Sequence, residues 1–372
     1  MSWAIWITGL PGSGKSALAR AAAAELAARG RRARVLELDE VRKTITPRPS
    51  YTDAERDVVY RALVYMAALM TEAGIPVIID ATAHRRAWRD LARAEIPRFA
   101  EVQLVCPPEV CRERERARRS SHAPRGIYAR AGRPGATVPG VDVPYEPALA
   151  PELVIDTVRE DIAAGATRIT ELAQHRWPGL SLDRGETSPG WAIWITGRPG
   201  SGKTTLAKRL AESLATRGIR VKVLDFHAAR RFLLPADHAS EGQEEVAHRA
   251  LAYAAKLLTE AGIAVIVDAT APRRAWREAA RALIPCFAEV QLLCPADICL
   301  ERERAARWRL AGAPPHAGPL RPAPDISVEY EESLRAELVL RTNIHDPWSA
   351  VEQLLFLIRR LPQGSAIKLE PR

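Results

Sequence analysis

No apolar run in this chain approaches the roughly 20 residues that a helical membrane span requires. Cysteine is scarce as well. Cys106, Cys111, Cys286, Cys294 and Cys299 form no closely paired set with metal-ligand spacing, and their odd number argues against a disulfide framework. Burial as a small hydrophobe is the expected role of Cys106, which ends the apolar run Val102-Gln103-Leu104-Val105. A cleavable leader has no room, because apolar residues and a glycine-rich loop follow the first methionine almost at once. A reducing, cytoplasmic setting is therefore expected. Aromatic residues are few, at 6%, and nowhere interleave with basic residues as a base-stacking platform. Acidic residues are outnumbered, which leaves a net charge of +9. That charge suits anionic ligands, nucleotides first, with nucleic acid an unlikely partner because the arginines fall at motif positions. A homo-oligomer is left open.

What the chain does contain, it contains twice. The seven residues Trp-Ala-Ile-Trp-Ile-Thr-Gly precede Gly9-Leu10-Pro11-Gly12-Ser13-Gly14-Lys15-Ser16, and the same seven precede Gly197-Arg198-Pro199-Gly200-Ser201-Gly202-Lys203-Thr204. Both octets have the spacing of the phosphate-binding loop. One chance match in a chain of this length has a probability on the order of 1%. Two in register with the same leader indicate an internal duplication.

The surroundings of each loop are those its chemistry needs. A short apolar run precedes it, and an Ala/Leu-rich stretch from Ser16 to Arg29, closed by Gly30, reads as the helix that follows. Strand, glycine turn and helix aim backbone N–H groups and a positive helix end at one point, where polyphosphate binds. ATP is the expected nucleotide. Lys15 and Lys203 reach its β/γ-phosphates, and the Ser16 and Thr204 hydroxyls ligate Mg²⁺.

Repeat one covers residues 1–176 and repeat two 190–360, with a turn-rich linker at 177–189 and a tail at 361–372. Strand-like runs at 4–7, 34–38, 76–80, 102–106 and 153–155 alternate with helical patterns at 15–29, 53–73 and 86–95. The fold class is accordingly α/β: two tandem P-loop domains, each a parallel sheet with helices on both faces. Ligands in such sheets bind beyond the C-terminal strand ends. There the P-loop meets the turn carrying Asp39 and Arg42 and the turn carrying Asp80. A carboxylate at either place can hold Mg²⁺ or take a proton from a hydroxyl, or it can simply cap a helix. Asp80 and its counterpart Asp268 are assigned to the metal, Asp39 to catalysis with Lys15. Arg56 and Arg61 lie five apart on one helix and so on different faces, either one able to reach an anion. From Arg112 to Arg133 the chain is dense in arginine and runs into a Gly/Pro-rich segment. It reads as a lid, with Arg125 and Arg130 closing over the phosphate.

The first repeat resembles an adenylyl-sulfate kinase over most of residues 3–157. The matching segments are Leu36-Glu37-Leu38-Asp39-Glu40-Val41-Arg42, Tyr51-Thr52-Asp53-Ala54-Glu55-Arg56 with Arg61, Arg125-Gly126-Ile127-Tyr128, Gly140 to Glu146, and Pro151 to Thr157. The resemblance implies ATP- and Mg²⁺-dependent phosphorylation of the 3′-hydroxyl of adenylyl sulfate, a step of sulfate assimilation. It implies that Asp39 orients or deprotonates that hydroxyl, that Arg42, Arg56 and Arg61 bind the sulfate-phosphate group, and that Tyr51 stacks on adenine. Three departures stand out: Val59 where the family has asparagine, Val138 where it has an aromatic, and Thr82-Ala83-His84 in place of Ile-Ser-Pro. Repeat two keeps its P-loop, Arg230, Arg249 and Asp268, but carries His227 in place of Asp39 and Glu244 in place of Arg56. It reads as nucleotide-binding with altered catalysis. The competing readings are a kinase for another small hydroxyl acceptor and a nucleotide-dependent switch or nucleic-acid-processing factor.

Overall fold

The computed structural model describes residues 1–117, 126–178, 189–235, 239–311 and 329–361, which fall into two compact units, Met1–Gly185 and Glu186–Arg372. The first runs β1 (Ala4–Thr8), α1 (Lys15–Ala28), β2 (Arg34–Glu37), α2 (Leu38–Ile45), α3 (Asp53–Glu72), β3 (Val77–Asp80), α4 (Arg86–Glu95), β4 (Phe99–Val105), α5 (Pro108–Ala117), β5 (Leu153–Asp156) and α6 (Ile162–Arg176). All its strands are parallel, in the order β2-β3-β1-β4-β5. β1 lies in the middle, so the loop that leaves it opens at the centre of the sheet's C-terminal edge. Every residue of β1 is buried, which is why it reads as a continuous apolar run rather than an alternating one. Ile5 and Ile7 pack with Leu18, Leu26 and Ile169 on the face that α1 and α6 cover. Trp6 points the other way, toward Tyr60 of α3 and Phe99, and its indole donates to the Ala81 carbonyl at 3.0 Å.

The second unit repeats the plan with β6 (Ala192–Gly197), α7 (Lys203–Ala215), β7 (Val221–Asp225), α8 (Phe226–Leu233), α9 (Glu241–Glu260), β8 (Ala264–Asp268), α10 (Arg274–Leu283), β9 (Phe287–Leu293), α11 (Ala296–Ala311), β10 (Leu338–Arg341) and α12 (Pro347–Arg360). Its strand order, β7-β8-β6-β9-β10, is that of the first unit.

Three helices of the first unit lie outside the periodic stretches recognised in the sequence. The segment around Asp39 is not a turn but the first turn of α2, which starts directly from β2 without a side-chain cap. Leu38, Val41 and Ile45 are its buried face, at helical spacing. Arg112, Arg114 and Arg116 belong to α5 rather than to a lid, because alternating Arg and Glu conceals a helix with only Cys111 and Glu115 buried. α6 opens on Asp161, whose side chain accepts from Ala164 N at 2.7 Å. At the head of the expected linker, Trp177 belongs with the first unit, since its ring stacks on Trp3 at 5.6 Å. The rest of that linker from 179 to 188, the tail beyond 361, and Arg125 lie outside the described residues.

A fully buried guanidinium ties α4 to the sheet. Arg89 Nε forms an ion pair with Glu101 Oε1 at 2.6 Å, and its other nitrogens donate to the Ala83 and Glu146 carbonyls. Arg277 and Glu289 repeat the pair at 2.8 Å. Removing one partner strands the other charge in the interior. Arg89→Ala is expected to cost about 3 kcal/mol, on the order of 10 °C in the first unit's Tm. Calorimetry would check this, and a loss below about 1 kcal/mol would show that Arg93, 3.7 Å from Glu101, takes over the charge.

Candidate active site

A cavity of about 870 Å³ opens beyond the C-terminal edge of the first sheet. Its wall includes Gly12, Gly14, Lys15 and Ser16 of the P-loop, Asp39 of α2, and Asp80 and Thr82 at the end of β3. α5 and the segment after β5 supply the opposite side, through Arg114, Glu115 and Thr157. Gly12 has φ 81°, and a Cβ there would collide with the Cys111 carbonyl. Gly200 is held in the same way against Cys299. The glycine therefore does two things: it admits the left-handed turn and lets the loop lie directly on the following helix.

Lys15 is buried, and its Nζ donates to the carbonyls of Gly9 and Leu10 at 3.1 and 2.9 Å. Lys203 makes the equivalent bonds to Gly197 and Arg198, both at 3.0 Å. Each ammonium is thus fixed at the centre of its loop, beneath the N-terminus of α1 or α7, where a polyphosphate's charge is best neutralised.

Burial pushes the Asp80 carboxyl above its usual range, while the Lys15 ammonium and a hydrogen bond from Ser16 pull it back, and Glu37 and Asp39 add to the rise. Asp268 is raised by burial too, against a hydrogen bond from Thr204 and the charge of Lys203. Its Oδ2 is buried without a hydrogen-bond partner. A hydroxyl beside a desolvated carboxylate with a spare oxygen is a donor set suited to Mg²⁺, a hard cation that takes oxygen ligands. Neither Asp39 nor Asp80 caps a helix. The extended cap residues are Glu37 before α2 and Arg85 before α4, and neither makes a side-chain cap bond.

The arginines divide. Arg42 and Arg56 are both buried, close enough that Arg42 and burial together lower the pKa of Arg56, which remains a cation. Arg42 Nη1 pairs with Glu55 at 3.1 Å, and its guanidinium lies over the Tyr51 ring at 5.3 Å. Tyr51, at φ 56°, is held by the same Glu55, which accepts from its N–H at 3.2 Å. Its ring therefore meets Arg42, and Tyr51 is not among the residues lining the cavity. Arg56 Nη2 donates to the Thr137 carbonyl at 2.9 Å, whereas its Nη1 is buried with no hydrogen-bond partner. Arg61 instead pairs with Asp57 one turn earlier, at 2.8 Å on the half-buried side of α3. Arg130 is exposed on a short 3₁₀ turn, Tyr128–Arg130, and does not line the cavity. The tyrosine of that turn does reach the P-loop, donating to the Pro11 carbonyl at 2.8 Å.

Thr157 is a cavity residue that sequence reasoning missed, and Arg114, read there as part of the lid, lines the cavity from α5 instead. The guanidinium donates to the Thr157 hydroxyl at 3.0 Å and to its carbonyl at 2.7 Å, joining α5 to the turn after β5. Arg302 does the same to Thr342. The signal lay in the recurrence of both residues in the two repeats.

In the second unit the acceptor side is rebuilt. Glu244, at the position of Arg56, accepts from Arg230 at 2.6 Å, so the remaining arginine is neutralised internally. His227 is exposed, and its backbone N–H donates to Asp225 at 2.8 Å.

The family described as adenylylsulphate kinase matches the chain twice, over residues 1–156 and 189–341. The chain belongs to the adenylylsulphate kinase family. Among its relatives is a protein named probable adenylyl-sulfate kinase from Archaeoglobus fulgidus, 38% identical over 164 residues, which are 43% of this chain and 99% of the relative. An adenylyl-sulfate kinase from Microcystis aeruginosa is 33% identical over 45% of this chain and 91% of its own length. Among solved structures, the Mycobacterium tuberculosis APS kinase CysC in complex with AMPPNP and APS is 28% identical, covering 46% of this chain and 98% of its own, with a TM-score of 0.41. No helix among the described residues is long and apolar enough to cross a membrane.

Proposed function

We propose that the first unit transfers the γ-phosphoryl group of ATP to the 3′-hydroxyl of adenylyl sulfate, giving 3′-phosphoadenylyl sulfate and ADP. The observation that carries this reading is one cavity in which Lys15, Ser16 and Asp80 face Asp39, with two buried arginines on the neighbouring α2 and α3. Asp39 accepts the hydroxyl proton as the acceptor oxygen bonds to the γ-phosphorus and the bond to the β-phosphate oxygen breaks. Lys15 and the N-terminus of α1 hold the charge that gathers on the transferring group. Ser16 and Asp80 would hold Mg²⁺, which when bound would add to the neutralisation of the phosphate oxygens. Arg42 and the unpartnered Nη1 of Arg56 receive the sulfate-phosphate end of the acceptor.

The second unit binds nucleotide through Lys203, Thr204 and Asp268 but does not take this acceptor, since the cation with the unpartnered nitrogen in the first unit, Arg56, is replaced there by Glu244, whose carboxylate also occupies Arg230. A cytoplasmic setting fits the five free cysteines.

The test is mass-spectrometric detection of phosphorylated product after incubation with ATP, Mg²⁺ and adenylyl sulfate. Product formed only with some other hydroxyl acceptor would overturn the assignment. Arg56→Ala is expected to raise the KM for adenylyl sulfate by roughly tenfold or more, with the KM for ATP nearly unchanged. Equal rises for both substrates would show that Arg56 supports the fold instead.

A further inference from the structure

The segment after β3 starts in the nucleotide cavity with Ala81 and Thr82 and ends at His84, a residue the reaction as described leaves unused. Its backbone is fixed on both sides. Tyr60 Oη accepts from Ala83 N at 2.9 Å, Arg89 donates to the Ala83 carbonyl, and the His84 carbonyl accepts from Glu146 N at 2.8 Å. The ring stands edge-on to Trp88, with centroids 5.1 Å apart. His84 is only 4% exposed as a residue, and no side-chain hydrogen bond joins its imidazole to a described residue. Neither ring nitrogen is among the buried atoms sealed off without a partner, so the ring edge stays within reach of a ligand.

Its surroundings indicate which ligand. Burial, then the nearby charges of Arg56 and Arg85, hold its pKa down to about 4, while Asp53 and Glu146 oppose. The ring is therefore neutral at pH 7 and carries one N–H donor and one acceptor nitrogen. Arg85 is satisfied by Asp53 at 2.5 Å, but Arg56 has a free Nη1. The charge of Arg56 is felt at the ring, so the unfilled guanidinium nitrogen and the imidazole are neighbours just outside the nucleotide cavity.

The second unit shows that the histidine is not what holds this turn. There Ala271 has φ 39°, close to the 41° of Ala83, its carbonyl accepts from Arg277 at 2.6 Å, and Glu331 N donates to the next carbonyl at 2.9 Å. The residue in the place of His84 is Pro272, which has no side-chain donor. The same backbone forms without the imidazole, in the unit whose acceptor-side arginine is already neutralised.

We infer that His84 is an acceptor-binding residue, its imidazole N–H donating to an oxygen of the acceptor's anionic group beside Arg56. This rests on the reading of the first unit as an adenylyl-sulfate kinase. The group bound is the phosphate-sulfate end rather than the base, because the two strongest charges on the ring, Arg56 and Arg85, are cationic and outweigh Asp53 and Glu146. The rigid mounting fixes the donor before the acceptor arrives, so little ordering remains to be done on binding.

Steady-state kinetics on the full chain tests the inference with three variants. His84→Phe keeps an aromatic ring against Trp88 but has no donor, His84→Pro copies the second unit, and His84→Gln restores a donor. The expected result is a KM for adenylyl sulfate raised about tenfold in the Phe and Pro variants, an ATP KM changed by less than about twofold, and a Gln variant near wild type. An unchanged acceptor KM in His84→Phe would overturn the inference. So would a Gln variant as impaired as the Phe variant with a lowered melting temperature, which would make the role one of packing. If His84→Phe fails to fold, His84→Pro carries the same comparison. No turnover of adenylyl sulfate by the unaltered chain would sink the kinase reading and this inference together. Turnover with indifferent variants would sink the inference alone.

Discussion

Lys15→Met is expected to lower acceptor-dependent ADP release by about 10³-fold, whereas Lys203→Met leaves it within about twofold. The two lysines are equally buried and donate to matching carbonyls, so local geometry does not separate them. What separates them is the rest of each site. Lys15 shares its cavity with Asp39, and the buried Arg42 and Arg56 lie on α2 and α3 beside it. On the acceptor side of Lys203's unit, Arg230 is tied to Glu244 and the residue at the Asp39 position is an exposed histidine. Charge neutralisation accelerates phosphoryl transfer only when an acceptor is held in line, so on the proposed reading the same ammonium would act catalytically in one unit and only bind nucleotide in the other. Nucleotide titration provides the control. The unaltered chain should show two sites and each variant one. If Lys203→Met slowed turnover as much as Lys15→Met, the second unit would have to contribute to the chemistry. If the unaltered chain bound a single equivalent, its P-loop would not be a nucleotide site at all.

How much of this could be read from the residues depends on the range of the interaction. The strands were legible because β1 and β3 are buried on both faces and therefore appear as unbroken apolar runs. The P-loops were legible because close approach forces glycine at fixed positions, as Gly12 against Cys111 shows. Helix α2 was not, since it begins from β2 with no cap and its four buried residues are few enough to pass for a turn. Nor were the charge pairings. Arg42 meets Glu55 across an intervening loop, and Arg56 meets Thr137 from a distant segment. Periodicity carries no record of such contacts. The replacement of Arg56 by Glu244 was visible, but not that Glu244 would neutralise Arg230. The resemblance implied that Tyr51 stacks on adenine, but not that its backbone N–H would bond Glu55 or that Arg42 would lie over its ring. His84 could be seen only as a departure from the family's Ile-Ser-Pro. Its missing hydrogen bond is a property of the folded turn.

Asp39→Asn is expected to cut kcat by about 10²-fold or more while leaving both KM values within a few-fold. The amide is nearly isosteric and can still hydrogen-bond the hydroxyl, but it cannot take its proton, so the loss falls on the chemical step. Position supports this division of labour between carboxylates. Asp80 is buried against Lys15 and Ser16, on the P-loop side of the cavity, whereas Asp39 is half-buried and lines it from the first turn of α2, the helix that carries Arg42. Asp80→Asn should accordingly show its main effect in the Mg²⁺ concentration needed for turnover. His227→Ala serves as the comparison in the second unit. Its ring is exposed on a unit whose anion-binding arginine is already paired, and turnover should be almost untouched. The mirror result, His227→Ala inactive and Asp39→Asn tolerated, would transfer the chemistry to the second unit. A third outcome, in which Asp39→Asn raises the KM for adenylyl sulfate with kcat intact, would make Asp39 a residue that orients the acceptor and leaves its proton to solvent.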